Sequence, residues 1–306
     1  MVNSAKRMPK AKIGAPRERF GDRMFVAFSY VFITLFGIIC LYPFLNIVAK
    51  SLSSDEAVYA GKVMGVWPIG FNLNAYQYIL NSHRYVTTFM NTVKVTLVGT
   101  ALNLGLTVCV AFAVSRDDMP GNKIIMFLYI FTMMFSGGMI PTYLVVSQAG
   151  LLDNHWALIL PGLVSAYNVI LMRNYIQGLP KELDDSAAID GASQFQLMTR
   201  IILPLTLPSL ATIGLFCAVG YWNTYFNALI YIDTRDKTML QVYLREMLTS
   251  TQNANLDAGM DELANLASNE AVQGACVVAT ALPIIVVYPW LQKYYVKGMT
   301  IGAVKG

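Results

Sequence analysis

Residues 182–208 read ELDDSAAIDGASQFQLMTRIILPLTLP, a polar, glycine-punctuated and proline-terminated run between two long apolar stretches. Each of its three aspartates would cost roughly 2.5 to 3.5 kcal/mol at the centre of a bilayer, so the run cannot cross one. Pro180 suits a first helical turn, where its missing N–H is not needed, and Glu182, Asp184 and Asp185 complement the dipole of that turn. The spacing predicts a short helix from Pro180 to about Asp190, closed by Gly191 in a left-handed conformation. Ser193 and Gln196 match an S-x-x-Q capping box for a second helix, with Phe195, Met198 and Ile202 on one face. Pro204 and Pro208 predict a bend into the fifth apolar span. The result is a rigid knob with a small-residue face at Ser186, Ala187 and Ala188. It reads equally as a docking element or as an ordinary amphipathic surface loop.

The surroundings of this run place the chain among membrane proteins. Of 306 residues only 13% are charged and 56% are hydrophobic, and the mean hydropathy is +0.50. Charge-free runs cover Met24–Ala49, Val95–Val114, Ile124–Val146, Trp156–Met172, Ile201–Ile232 and Ala271–Gln292. A hydrocarbon core of about 30 Å needs about 20 helical residues, so six spans is the economical count. The expectation is an all-α membrane protein with spans near 24–49, 86–114, 124–146, 155–172, 205–232 and 271–292, together a six-helix transmembrane domain over 24–296. The 32-residue run is too long for one straight span, and its first part belongs to the polar loop.

Orientation follows from the lysines and arginines. With the N-terminus inside, 15 of 22 fall on the cytoplasmic side. Both termini are then cytoplasmic, with a basic segment 1–23, a cytoplasmic loop 173–204, an outer loop 233–270 and a tail 297–306. The apolar run after the basic segment is 26 residues long and ends in LNIVAKSLSS. A signal peptide has a shorter apolar core and a small-residue cleavage site, so this run reads as a retained first span. The net charge of +4 is mostly the basic skirt, which meets lipid headgroups and is no nucleic-acid signal.

Several chemistries are missing from the sequence. No G-x-x-x-x-G-K-[ST] phosphate loop occurs, so no enzyme activity, bound cofactor or nucleotide is expected of this chain itself. His83 and His155 stand at span ends with no nucleophile pattern beside them, and no metal site is expected. Cys40, Cys109, Cys217 and Cys276 all fall in predicted spans, read as small buried apolar residues. Only Lys94 intrudes as a charge near a span, where a lysine snorkels. An ion-coupled carrier usually keeps charged groups inside its bundle, so the energy for any transport is expected from a partner.

The polar run resembles the EAA loop of ABC importer permeases: Glu-Ala-Ala, three free positions, Gly, then I-x-L-P about ten residues on. Asp185, Ser186 and Ala187 stand at the Glu-Ala-Ala positions, Gly191 at the Gly, and Ile201-Ile202-Leu203-Pro204 close the pattern. Asp for Glu shortens the acidic arm by one methylene. The likeness extends from about Tyr42 to Gly306 and points to the maltose-type, oligosaccharide or polysaccharide branch. It rests on FSGGMIPTYLVVSQAGLLDN (135–154), MRNYIQGLPKEL (172–183), WNTYFNALIYI (222–232), SLSSDEAV and LQVYLRE.

The resemblance implies a type I ABC importer permease fold in a bacterial cell membrane and several partners. These are a second homologous permease, a dimer of ABC ATPase subunits that uses ATP and Mg, an extracellular solute-binding lipoprotein and an oligosaccharide. It implies that Glu182, Asp185, Ser186, Ala187, Asp190, Gly191, Ala192, Phe195 and Pro204 engage the ATPase, and that alternating access follows from the ATPase cycle. It also implies that the outer segment from Asp233 reaches toward the binding protein; an unstructured loop is the other reading of its centre.

Sugars are held by aromatic rings and by amide or hydroxyl hydrogen bonds, the chemistry of Tyr221, Trp222, Asn223, Tyr225 and Asn227. On a continuous helix Tyr221 and Tyr225 share one face, Asn223 and Asn227 another. The same groups would serve contact with the other permease, where intramembrane Asn bonds between helices. Two rival functions stay open at this point: an ion-coupled secondary sugar carrier, and a membrane scaffold or sensor that uses the loop to dock a protein.

Overall fold

The computed structural model describes residues 20–257 and 270–289, and among them every regular element is a helix. In order these are α1 (Phe20–Ser51), α2 (Asp55–Tyr59), α3 (Asn74–Asn81), α4 (His83–Ser115), α5 (Asn122–Met134), α6 (Met139–Gln148) and α7 (Trp156–Ile159, continued to Gly162). They are followed by α8 (Ala166–Gln177), α9 (Glu182–Ile189), α10 (Gln194–Leu205), α11 (Leu207–Trp222), α12 (Phe226–Tyr231), α13 (Leu240–Asp257) and α14 (Glu270–Pro289). The basic segment before Phe20, the centre of the outer loop and the tail 297–306 lie outside the described residues.

Three helices are long and apolar enough to cross a membrane singly: α1 from Arg23, α4 and α14. Three expected spans are instead bent pairs. The run 124–146 breaks at 135–138, and α6 leaves α5 at 116°. Ser136-Gly137-Gly138 cannot hold a helix against its flanks, and Gly138 adopts a φ of +88°. The expected span 155–172 bends by 50° between Gly162 and Ala166, just after Pro161. The expected span 205–232 begins at Gln194, turns by 81° before Leu207 and stops at Trp222, with α12 as a separate short helix. A charge-free count cannot see such breaks, because Gly, Ser and Pro are uncharged.

The helix α4 organises the fold, and its surface is inverted relative to a helix in a water-soluble protein. Thr88, Thr92, Val95, Gly99, Asn103, Thr107, Ala111 and Val114 recur every three or four residues and are buried, whereas Leu97, Leu102 and Leu106 are exposed. In lipid, leucine gains nothing by leaving the acyl chains, so small and polar residues make the helix contacts. Beside Gly99 the ring of Tyr221 stands so close that a Cβ would lie 2.8 Å from it. At mid-height Asn103 Oδ1 accepts from Thr107 Oγ1 (3.2 Å) and Cys217 Sγ (3.1 Å), and its amide donates to the Gly162 carbonyl at 3.3 Å. Asn168 Nδ2 in turn donates to Cys217 Sγ. This knot joins α4, α7, α8 and α11. Cys217 and Cys276 are buried as expected, but Cys40 and Cys109 are exposed, because the faces of α1 and α4 that carry them are not covered by any of the described residues.

Two polar clusters mark the ends of α4. Near its start, Asn91 Nδ2 donates to the carbonyls of Asp236 and Thr238 (2.8 and 3.2 Å), Thr92 Oγ1 accepts from Leu240 N, and Arg84 pairs with Glu246. At its end, Arg173 Nε donates to Val114 O (2.9 Å), Gln177 Nε2 to Ser115 O (3.2 Å) and Asn122 Nδ2 to Arg116 O (2.8 Å). These donors satisfy carbonyls that the last helical turn leaves open. Thr92 and Arg116 are 24 residues apart, about 36 Å along a helix axis.

Candidate coupling site

The stretch 182–208 folds locally much as its spacing dictates. Acidic side chains fill the first turn of α9. Gly191 has a φ of +69°; its N–H bonds Ala188 O, and Ala192 N–H bonds Ala187 O at 2.9 Å. That pair of bonds is a Schellman closure, which needs the left-handed residue. Two residues on, Ser193 Oγ accepts from Gln196 N while Gln196 Oε1 accepts from Ser193 N, a complete capping box. Residues 197–202 then widen into a π turn. Pro204 comes next with no N–H for the Arg200 carbonyl, and the widened turn absorbs the mismatch.

Two expectations about faces change. Ala187 does not join Ser186 and Ala188 on an outward face, because it is 3% exposed and packs into the chain. Phe195, Met198 and Ile202 do not share a side: Phe195 is 70% exposed, Met198 half-buried and Ile202 buried. The extra residue in the π turn carries Ile202 round to the packed face.

The outward surface is therefore Glu182, Asp185, Ser186, Ala188, Ile189, Asp190, Gly191 and Phe195, with Ala192 half-buried and Pro204 exposed. Ile189 is 86% exposed, and the pattern reading missed it. Its signal was present: Leu183 and Ala187 mark the packed stripe of α9, and Ile189 lies two positions further, on the opposite side. Ser186 Oγ is already used, donating to Glu182 O at 2.7 Å.

The knob rests on the end of α4. Arg116, the first residue past that helix, pairs with Asp184 of α9, and its guanidinium lies 4.5 Å above the Phe112 ring. Asp117 and Lys181 pair at 3.3 Å with both side chains largely exposed. A cleft of about 420 Å³ opens between these elements, lined by Arg116, Asp117, Asp118, Gln177, Lys181 and Asp184.

The aromatic and amide residues at the end of α11 are not one cluster. Tyr221 is buried against Gly99, and Trp222 is buried with its indole N–H on Thr280 O at 3.2 Å and its ring edge-on to Phe89. Because the helix stops at Trp222, the expected four-residue pairings do not form. Asn223 and Asn227 are exposed and Tyr225 is half-buried. Asn223 Oδ1 accepts from Gln241, and the Arg245 guanidinium lies 5.4 Å from the Tyr225 ring.

At the opposite end from the knob, Asp153 (φ 55°) holds the segment after α12. Its Oδ1 accepts from the N–H groups of Asp233 and Thr234, and its Oδ2 from Thr234 Oγ1 and Lys237 Nζ. Led by the Lys237 bond, these donors hold its carboxyl well below the usual carboxylate range. His155 Nε2 bonds the Lys237 carbonyl at 2.8 Å. Among the described residues no cluster of His, Cys, Asp or Glu is able to hold a metal ion.

Residues 11–301 match the binding-protein-dependent transport system inner membrane component family. The chain belongs to that family. Its members are permease subunits of membrane transporters, not enzymes, and this chain is a multi-pass membrane protein of that kind. It is 39% identical over 285 residues, 93% of this chain and 99% of the relative, to the polygalacturonan/rhamnogalacturonan transport system permease protein YtcP of Bacillus subtilis strain 168. Protein LplC of the same organism is 41% identical over 301 residues, 97% of this chain and 100% of its own. Among solved structures, a bacterial ABC transporter involved in import of the acidic polysaccharide alginate contains a chain of the same fold. It has a TM-score of 0.83 and 34% identity, and the match covers 92% of this chain and 100% of that one.

Proposed function

We propose that this permease is one of two that form the pathway of an ATP-driven ABC importer of oligosaccharides in a bacterial cell membrane. In this reading residues 182–204 dock on a cytoplasmic ATPase subunit, which alone binds ATP and Mg. The observation that carries it is the outward face of the knob. Ile189 and Phe195 are fully offered to a partner, on two helix ends fixed by a Schellman closure and a capping box, at the foot of the central helix. An exposed isoleucine and phenylalanine flanked by acids on an otherwise polar loop fit a protein partner better than water.

Six crossings with both ends of the chain inside are part of the same proposal. Asn122 is tied to the end of α4 and Asp153, through Thr234 and Lys237, to the segment held at its start. The residues that flank the α5–α6 pair are thus tied to opposite ends of α4, which supports reading the pair as one crossing. His155 and Gln177 bracket α7–α8 in the same way. The segment 233–257 then lies outside, where a sugar-binding protein would meet it. Asn223, Tyr225 and Asn227 supply the polar surface for a sugar or for the second permease, with Tyr221 and Trp222 supporting them from within.

Two relatives carry acidic polysaccharides in their names, polygalacturonan/rhamnogalacturonan and alginate, so uronic-acid oligosaccharides are the first substrates to assay. The chain is reconstituted in proteoliposomes with its ATPase, second permease and binding protein. Uptake of labelled oligogalacturonate is expected only with ATP on the ATPase side of the membrane and binding protein on the other. Uptake driven by a proton or sodium gradient without ATP would overturn the proposal in favour of a secondary carrier. ATP turnover with no sugar movement across a panel of oligosaccharides would favour a scaffold or sensor.

A further inference from the structure

We propose that the Arg116–Asp184 ion pair is the strap that makes the central helix α4 move with the coupling helix α9, Arg116 acting as a positioning residue. The inference rests on the reading that 182–204 engages an ATPase. It adds the route by which a push on the knob reaches the spans.

The helix α9 touches the rest of the chain at few places. Ala187 is its one buried residue, and most of its other side chains face outward. Force applied at Ile189 leaves α9 through the packing of Ala187, forward through the Gly191 closure into α10, back through the backbone Gly178–Lys181, or through Asp184. The Gly178–Lys181 route leads to α8, whose end is already fastened to α4 by Arg173 and Gln177. The Asp184 route leads directly to α4.

Arg116 is built to carry load. Its guanidinium is fixed on one side by the Phe112 ring at 4.5 Å, and its carbonyl by Asn122. The side chain is 20% exposed, and its Nε and Nη2 are sealed from solvent with no acceptor among the described residues, leaving Asp184 on Nη1 as its counter-charge. A charge so enclosed loses much more when its partner leaves than a solvated one does. The neighbouring Lys181–Asp117 pair is the natural contrast: both side chains are more than three-quarters exposed, and such pairs hold little. α4 then distributes the motion, since it is buried at regular intervals from Tyr85 to Ser115 and forms the Asn103 knot with α7, α8 and α11.

The test uses the whole transporter, purified through this chain and assayed for ATPase content and for ATP turnover with and without binding protein. Asp184→Asn is expected to retain the ATPase but to lose roughly fivefold of the binding-protein-stimulated turnover, whereas Asp184→Glu and Lys181→Gln stay within about twofold of wild type. In the same preparations, amide exchange of α9 is expected to quicken about fivefold in Asp184→Asn while the last turn of α4 is unchanged. Unchanged turnover in Asp184→Asn would overturn the strap, as would an equal loss in Asp184→Glu or dissociation of the ATPase from Asp184→Asn. If wild type itself carries no ATPase, the docking reading fails. The exchange measurement on this chain then decides the strap alone, equal rates overturning it.

Discussion

Gly191 carries a prediction that isolates backbone from contact. The space beside its Cα is open, so a side chain there meets nothing; what it meets is its own φ of +69°. A left-handed conformation costs an ordinary L-residue about 1–2 kcal/mol and a β-branched one more, while Asn tolerates it. Gly191→Val is therefore expected to deform the closure between α9 and α10 and to cut ATP-driven uptake by roughly tenfold or more, with Gly191→Asn close to wild type. Comparing the two variants for uptake per ATP hydrolysed checks it; equal loss in both would mean that bulk, not backbone conformation, matters at the knob. This position was legible from the sequence because a helix-ending glycine and the S-x-x-Q box are local features. The inward turn of Ala187 was harder to read, since facing depends on what α9 packs against. Arg116 lies 68 residues from Asp184, a separation that no local pattern spans.

At the scale of elements, the sequence located the apolar segments but not their continuity. Val95–Val114 is free of charge, yet α4 runs from His83 to Ser115 because Arg84 finds Glu246 and Lys94 lies exposed on the helix surface. The three bent pairs, by contrast, arise from Gly and Pro, which a hydropathy sum counts as neutral. The segment after α12 gives the prediction that belongs here. A carboxyl whose native affinity for protons is weakened stabilises the fold above its unfolded-state value, roughly 3.9, and that contribution is lost only as pH falls through the lower native value. Asp153 is such a group. The amides of Asp233 and Thr234 are therefore expected to keep their exchange protection from about pH 8 down to about pH 5, and to lose it at every pH in Asp153→Ala, which has no acceptor for them. Protection that fades between about pH 7 and pH 5 in wild type would overturn the role given to this carboxylate.

For the whole molecule, the deciding matter is which way the two polar ends of α4 face. Apolar side chains are exposed along α1 from Met24 to Leu45, and its most apolar stretch has no buried residue; burial starts only at Ala49. The chain thus presents a surface that no water-soluble protein would tolerate. Within such a surface only the loops report orientation. After Cys40 and Cys109 are replaced by alanine, single cysteines are placed at Trp67, Lys123, Asp118 and Gln148, all of them exposed. A membrane-impermeant maleimide is expected to label Trp67→Cys and Gln148→Cys in intact cells, and Lys123→Cys and Asp118→Cys only after the cells are opened. The assignment follows from two independent arguments: the lysine and arginine bias puts the Arg116 end in the cytoplasm, and the hydrogen-bonded ties place Asn122 and Asp153 at opposite ends of α4. Labelling of Lys123→Cys and Gln148→Cys from one side would mean that α5 and α6 re-enter rather than cross. That result would put the knob and the outer clasp on the same face, and a cytoplasmic ATPase would then have no route to 182–204 while a binding protein met 233–257.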